Sequence, residues 1–267
     1  MSVSETIRTR SSWRTYNNKP FNRDDLLELE KFISSDPTPP FGNTPRFKII
    51  EKTPESRQLG TYGFIHGATN FIIGAISDAH MALQDYGYSL ERIILRATEM
   101  GLGTCWLGGT FTRSAFSEEL GLAEGEVMPA ITPVGYVKKD RRLVERAMRW
   151  AVKAKERKPW KELFFDSFMS PLDLDTAGVY GEAFENVRLG PSAHNGQPWR
   201  LVLDEDKVHF YATGGRNKTY SSMQRLDMGI AFSHFELTMR EKGAIGEWSI
   251  SNPEITDSFE YVATWSN

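Results

Sequence analysis

The 267-residue sequence predicts an α+β fold in which mixed β-sheets are flanked by helices. Two observations lead there: helix-like and strand-like segments occur in both halves of the chain, and one mid-chain stretch recurs further on at a fixed spacing. A composition 40 % hydrophobic and 12 % aromatic supplies the apolar surface such layers must bury.

Asn22 to Ile33 reads as the first amphipathic helix, with Asn22 as N-cap, acids in the first turn and Leu26, Leu29 and Ile33 on one face. The Pro-rich run that follows, up to Pro40, cannot continue it. Phe41 to Ile50 reads as loop then strand, and Ala68 to Ala75 as a short apolar strand. Asp85 to Gly101 reads as a buried helix, apolar at Leu90, Ile93, Ile94, Ala97 and Met100 and closed by glycine. A short helix over Phe116 to Leu122 and a strand over Pro129 to Val137 complete the first half. Gly181 to Arg188 is helical in pattern, Arg200 to Leu203 strand-like, and Phe259 to Trp265 a closing strand.

The repeat relates Asp85–Gly101 to Asp227–Gly243 at a constant offset of 142. Asp85 with Asp227, Gly87 with Gly229, Leu95 with Leu237, Glu99 with Glu241, Gly101 with Gly243 and Trp106 with Trp248 are identical without a gap. A degenerate internal duplication explains this better than coincidence.

A formal charge of -3 removes the electrostatic footprint of a general nucleic-acid binder. No apolar run is long enough to span a bilayer and the first residues do not form a signal peptide, so the expectation is a cytoplasmic protein with no membrane partner. Cys105 is the sole cysteine, and the five histidines lack ligand spacing, so no metal site is expected. The basic run from Lys138 to Lys158 reads as solvated face or linker.

Three stretches carry polar chemistry. Pro191-Ser-Ala-His-Asn-Gly-Gln-Pro-Trp199 joins a helix to a strand and is loaded with neutral hydrogen-bonding groups. Ser192 and Asn195 suit either the edge of a heteroaromatic ring or an Asx-type turn that satisfies only local backbone. Arg8, Arg10 and Arg14 with Ser11 and Ser12 suit a phosphate, or a solvated basic N-terminus. Gly101 to Phe111 holds four glycines in nine residues, which lets backbone approach a flat ligand or simply caps a helix and turns into a strand.

The Pro191–Trp199 stretch resembles the Pro-Ser-x-x-Asn-x-Gln-Pro-Trp loop of the FMN-dependent nitroreductase superfamily, which lies against flavin from across a dimer interface. Arg10, Ser12, Arg14 and Tyr16 are similar to that family's Arg-x-Ser-x-Arg-x-(Phe/Tyr) opening, and the resemblance makes Arg10, Ser12 and Arg14 holders of the ribityl phosphate. The Gly-rich stretch resembles the loop facing flavin N5 and O4, which implies backbone donors at Gly108 and Gly109 and makes Cys105 a packed small hydrophobe. Lys155-Glu-Arg157-Lys-Pro resembles the basic tail that also reaches the phosphate, implicating Lys155 and Arg157. Pro191, Ser192 and Asn195 become ring contacts, with His194 a weaker candidate for the pocket wall. In the first half, only the Asn43-Thr-Pro45 remnant stands where the Ser-Asn loop belongs.

The losses in the two halves are complementary. Residues 1–165 retain the phosphate grip and the Gly-rich loop, and residues 166–267 retain the Ser-Asn loop. The resemblance therefore implies a single-chain pseudo-dimer with one FMN site, monomeric in solution. It implies an oxidoreductase passing electrons from NAD(P)H through FMN to a small planar acceptor such as a nitroaromatic or quinone. No nucleophile stands beside a base, so flavin and not a side chain would carry the chemistry. A flavin-binding or storage protein without turnover, and a structural partner protein with dead sites, are the alternatives.

Overall fold

A computed structural model describes residues 1–35, 38–52, 61, 63–138, 156–214 and 221–267. Two five-stranded sheets lie on either side of a central pair of long helices.

Helix α1 (Val3–Thr9) opens on a capping box, with the Ser2 hydroxyl accepting from Glu5 N–H and the Glu5 carboxylate accepting from Ser2 N–H. Helix α2 (Arg23–Ser35) begins where Asn22 Oδ1 accepts the Asp25 N–H at 2.7 Å, so Asn22 serves as the expected cap. The first sheet contains β1 (Arg46–Glu51), β2 (Asn70–Ser77), β3 (Gly103–Thr104), β4 (Glu126–Val127) and β5 (Thr132–Gly135). Its path runs β1-β2-β5-β3, with β4 paired to β2, and all its ladders are antiparallel. Between these strands lie α3 (Ala82–Glu99) and α4 (Arg113–Leu120), the latter closed by Gly121 at φ 62°.

The second sheet has the order β6 (Phe164–Asp166), β7 (Trp199–Asp204), β8 (Lys207–Ala212), β10 (Glu260–Ser266) and β9 (Glu247–Ser249). It is mixed, because β6 pairs parallel with β7 while the other ladders are antiparallel. Helices α5 (Gly181–Leu189) and α6 (Ser222–Glu241) pack upon it. Strand β6 straddles the 165/166 division read from the sequence and pairs wholly with the second sheet; Leu163 and Phe164 belong to that sheet's core. Helix α1 also reaches across: Val3 N–H donates to Glu241 at 2.9 Å and Ser4 Oγ to Glu182 at 2.6 Å.

Helices α3 and α6 meet at the two glycines of the repeat. A Cβ on Gly87 would stand 2.3 Å from the Leu226 carbonyl oxygen, and one on Gly229 would stand 2.0 Å from that of Gln84. Leu226 is the residue 142 positions after Gln84, so each helix offers its glycine to the corresponding carbonyl of the other. This reciprocity is that of an isologous interface, here between two parts of one chain. Core packing follows it, with Met81 and Tyr88 of the α3 region in the second lobe's core and Leu226 of α6 in the first's.

Candidate functional site

The aspartates of the repeat do equivalent work in the two lobes. Asp227 accepts the Ala193 N–H at 3.1 and 3.2 Å, pinning the Ser192–Gln197 loop to α6. Asp85 accepts the N–H groups of Phe41 and Asn43 at 3.1 and 2.9 Å, pinning the first lobe's remnant loop to α3. Burial pushes the Asp227 carboxyl up to about 8 against the opposing effect of the Ala193 N–H. Asp85 is also raised by burial, opposed by the bonds from Asn43 and Phe41.

His194, Asn195 and Gln197 adopt left-handed backbone conformations at φ 51°, 56° and 48°. Non-glycine residues there cost about 1–3 kcal/mol each and persist only where surroundings impose them. The imposing contacts are visible: Ser192 Oγ accepts the Gln197 N–H at 2.9 Å, and Asn195 Nδ2 donates to the Glu156 carbonyl at 3.0 Å. Arg157 Nη1 donates to Asn195 Oδ1 at 3.3 Å and Nη2 to the Leu189 carbonyl at 3.1 Å, while Lys158 N–H donates to Gln197 Oε1 at 2.8 Å. The polar side chains of this loop thus perform the turn-building role. The Ser192 hydroxyl, used as an acceptor, keeps its hydrogen to give. His194 is exposed.

Beneath the loop lies a buried node that sequence reading missed. Glu91 Oε1 faces His234 Nε2 at 2.9 Å, Glu91 Oε2 accepts Trp106 Nε1–H at 2.7 Å, and Arg10 Nε lies 3.8 Å from Oε1. His234 Nδ1 is bonded to the Asn186 carbonyl at 2.8 Å, which makes that nitrogen the donor. A Cβ on Gly190, at the entrance to the Ser192 loop, would be 3.6 Å from the same Nδ1. The node therefore joins the Arg10 segment that follows α1, α3, the Trp106 loop, α5 through Asn186, and α6 with its neighbouring Ser192 loop. The signal available in the sequence was ionisable residues, Glu91 and His234, within otherwise apolar helical stretches.

Arg10 is largely buried, and among the described residues its Nε finds no hydrogen-bond acceptor. Ser12 bridges in parallel to Thr104 at the root of the Gly-rich loop, and Trp13 packs on Gly103. Arg14, two residues on, is half-exposed, and its backbone carbonyl accepts from His66. Gly108 lies against Met223 of α6, whereas at Gly109 an added Cβ would meet nothing within 4 Å. Cys105 is buried in the first lobe's core. Pro191 is half-buried beside Ser192. Lys155, with the basic run from 139 to 155, lies outside the described residues.

The structure thus links Arg10, through Glu91 and His234, to Gly190 at the entrance of the Ser192 loop, and links Arg157 to Asn195 of that loop. Gly108 and Gly109 stand further along the loop that begins beside Ser12, against α6. Arg200, buried behind the Ser192 loop with its guanidinium pulled down by burial, and half-buried Lys158, pulled down by burial and then by Arg200, add positive charge there.

Comparison with known proteins agrees with this architecture. The family model described as "Putative TM nitroreductase" matches residues 2–239, and the chain belongs to that family. Its fold is similar to that of a crystal structure described as a putative nitroreductase from Thermotoga maritima, with 19 % identity and a TM-score of 0.64 over 99 % of this chain and 92 % of that one. A nitroreductase family protein from Clostridium difficile 630 is 20 % identical, covering 61 % of this chain and 96 % of its own, with a TM-score of 0.46. A nitroreductase with bound FMN from Bacteroides fragilis is 21 % identical, covering 54 % and 92 %, with a TM-score of 0.45. No curated protein sequence matches the chain. Among the described residues, no helix is long and apolar enough to cross a membrane.

Proposed function

We propose that this chain is an FMN-dependent oxidoreductase that takes reducing equivalents from NAD(P)H and delivers them to a small planar acceptor such as a nitroaromatic or quinone. Family membership supports the class. The observation that carries the reading is the junction, where Arg10, just after α1, and Gly190, at the entrance to the Ser192–Asn195 loop, meet the Glu91–His234 node although they lie far apart in the chain.

The donor set fits an anionic, planar cofactor. Arg10, Ser12, Arg14 and Arg157 offer charged and hydroxyl donors suited to a phosphate, and the open face of Gly109 leaves backbone accessible to a ring. When bound, FMN would supply the hydride chemistry that these side chains cannot. The chain's own part is to grip the phosphate, to present Gly108 and Gly109 backbone and the Ser192 hydroxyl to the ring, and to hold those donors fixed. Fixed donors stabilise developing charge without reorganisation, which is the physical return on the strained loop.

In this reading the chain is two unequal lobes, divided upstream of β6 rather than at residue 165, derived from a duplication. The α3–α6 crossing would replace a subunit interface, so the protein would be monomeric with one flavin. The alternative is flavin binding without turnover.

The test is anaerobic addition of NADPH, then NADH, to protein loaded with FMN and desalted. Bleaching of the flavin band by either donor, with reoxidation by a nitroaromatic or quinone, is the expected result. Retained flavin that neither donor reduces would leave the binding protein.

A further inference from the structure

A cleft of about 500 Å³ opens at the lobe junction between α4, the β4 region and the start of α6. That volume falls in the range of small-molecule sites, roughly 300–1,000 Å³. Its apolar wall is built by Leu83, Leu122, Met128, Pro129, Met223 and Leu226. It adjoins the Gly-rich loop directly. Met223 lies against Gly108, and Arg113 donates from Nη2 to the Gly108 carbonyl at 3.4 Å and from Nε to the Met128 carbonyl at 3.3 Å.

Three charged side chains face the cleft: Arg113, Glu126 and Asp78. Glu126 is already neutralised. Arg46 donates to both its oxygens at 2.8 and 2.5 Å, and with the Ala123 N–H holds its carboxyl down to about 2. Asp78 stands exposed at the end of β2. Arg113 has no carboxylate partner among the described residues, and its guanidinium is fixed by the two carbonyls and by the Phe111 ring at 5.4 Å. A guanidinium so placed above an apolar floor suits a flat molecule that ends in one carboxylate. Asp78 would repel the reverse orientation.

We propose that this cleft is the acceptor site and that it selects aromatic carboxylates, with Arg113 binding the carboxylate and the Met128–Met223–Leu226 surface the ring. The proposal rests on the oxidoreductase reading and narrows its substrate class.

The test compares 4-nitrobenzoate with nitrobenzene by calorimetric binding to FMN-loaded and flavin-free protein. The wild-type chain should prefer the carboxylate, and Arg113→Gln should lower the ratio of the two affinities on the order of 10- to 100-fold, as loss of a charged hydrogen bond does. Arg113→Lys should restore part of it. Ser117→Trp, which places an indole in the cleft from α4, should weaken both ligands. An affinity ratio unaltered by Arg113→Gln, or 4-nitrobenzoate binding that survives Ser117→Trp, would overturn the proposal. So would a carboxylate preference abolished by FMN, because the cleft would then be the ring's own seat. Failure of flavin to bind or be reduced counts against the oxidoreductase reading alone, since the ratio is still read on flavin-free protein.

Discussion

Replacing Glu91 by Gln removes a fully buried charge on which residues of both lobes converge. Its carboxylate faces His234 at 2.9 Å, Trp106 at 2.7 Å and Arg10 at 3.8 Å, and the Glu91 and His234 side chains are wholly inaccessible to solvent. With an effective dielectric near 20, the attraction to Arg10 alone is about 4 kcal/mol before desolvation. Desolvation offsets much of that when the pair forms, but removing one partner strands the others in a dry environment. The expected loss of stability is therefore about 3–5 kcal/mol. For a chain of this size that corresponds to a melting temperature lower by roughly 10 °C. Urea denaturation of Glu91→Gln, His234→Gln and the double variant gives the assay. Because the two side chains share one interaction, the double variant should lose less than the sum of the singles, with a coupling of about 1–3 kcal/mol. Additivity within about 0.5 kcal/mol would refute the node as a single interacting unit.

Other predictions rest on separate contacts. Gly87→Ala and Gly229→Ala should each destabilise by about 1–3 kcal/mol or more despite the better helix propensity of alanine, because the added Cβ meets a backbone carbonyl; a raised urea midpoint for either would contradict the close α3–α6 crossing. Asp227 has its folded pKa raised to about 8, so the native chain binds the proton more tightly than the unfolded one. Its contribution is fully present below about pH 4, falls as pH rises through the window up to about 8, and is constant above. Asp227→Asn should abolish that slope, so its urea midpoint relative to wild type should rise between pH 5 and pH 9; a parallel pair of profiles would refute the buried carboxyl. Arg14→Ala and Arg157→Ala should each weaken FMN on the order of 10-fold or more while altering riboflavin, which lacks the phosphate, much less. Equal losses for the two flavins in a fluorescence titration would remove these arginines from the phosphate site.

Much of the architecture was legible from periodicity. The Asn22 cap, the long helix at 82–99 and the strands around 70–77 and 260–266 are legible in residue type, apolar spacing and stop residues, and the helix at 222–241 only through its likeness to the first. Helix α1 is not legible from periodicity, although Ser2-Val-Ser-Glu5 spells a capping box, because seven residues carry too little of it; the Val3 N–H and the Ser4 hydroxyl are held by Glu241 and Glu182, far along the chain. Strand β8 is not marked by alternation, because every residue after Lys207 is buried. The repeat shows Gly87 and Gly229 only as identities, and the close α3–α6 approach that explains them is visible in the structure alone.

The site was legible in its parts and not in its connections. Ser192 and Asn195 suited both a ring edge and a turn, and the hydrogen bonds to Gln197, Arg157 and Glu156 reveal the turn. The Glu91–His234 contact spans 143 positions, and neither residue belongs to a motif, so local pattern could not join them. Left-handed backbone at His194, Asn195 and Gln197 is likewise a property imposed by tertiary contacts.

Under the proposed function, two lobes of one chain build one flavin site. The most direct test of this is an FMN titration with mass determined by light scattering on the same sample. One FMN per chain on a particle of about the chain's own 30.3 kDa is the predicted result. Two flavins per chain, or flavin retained only by a dimer, would contradict it.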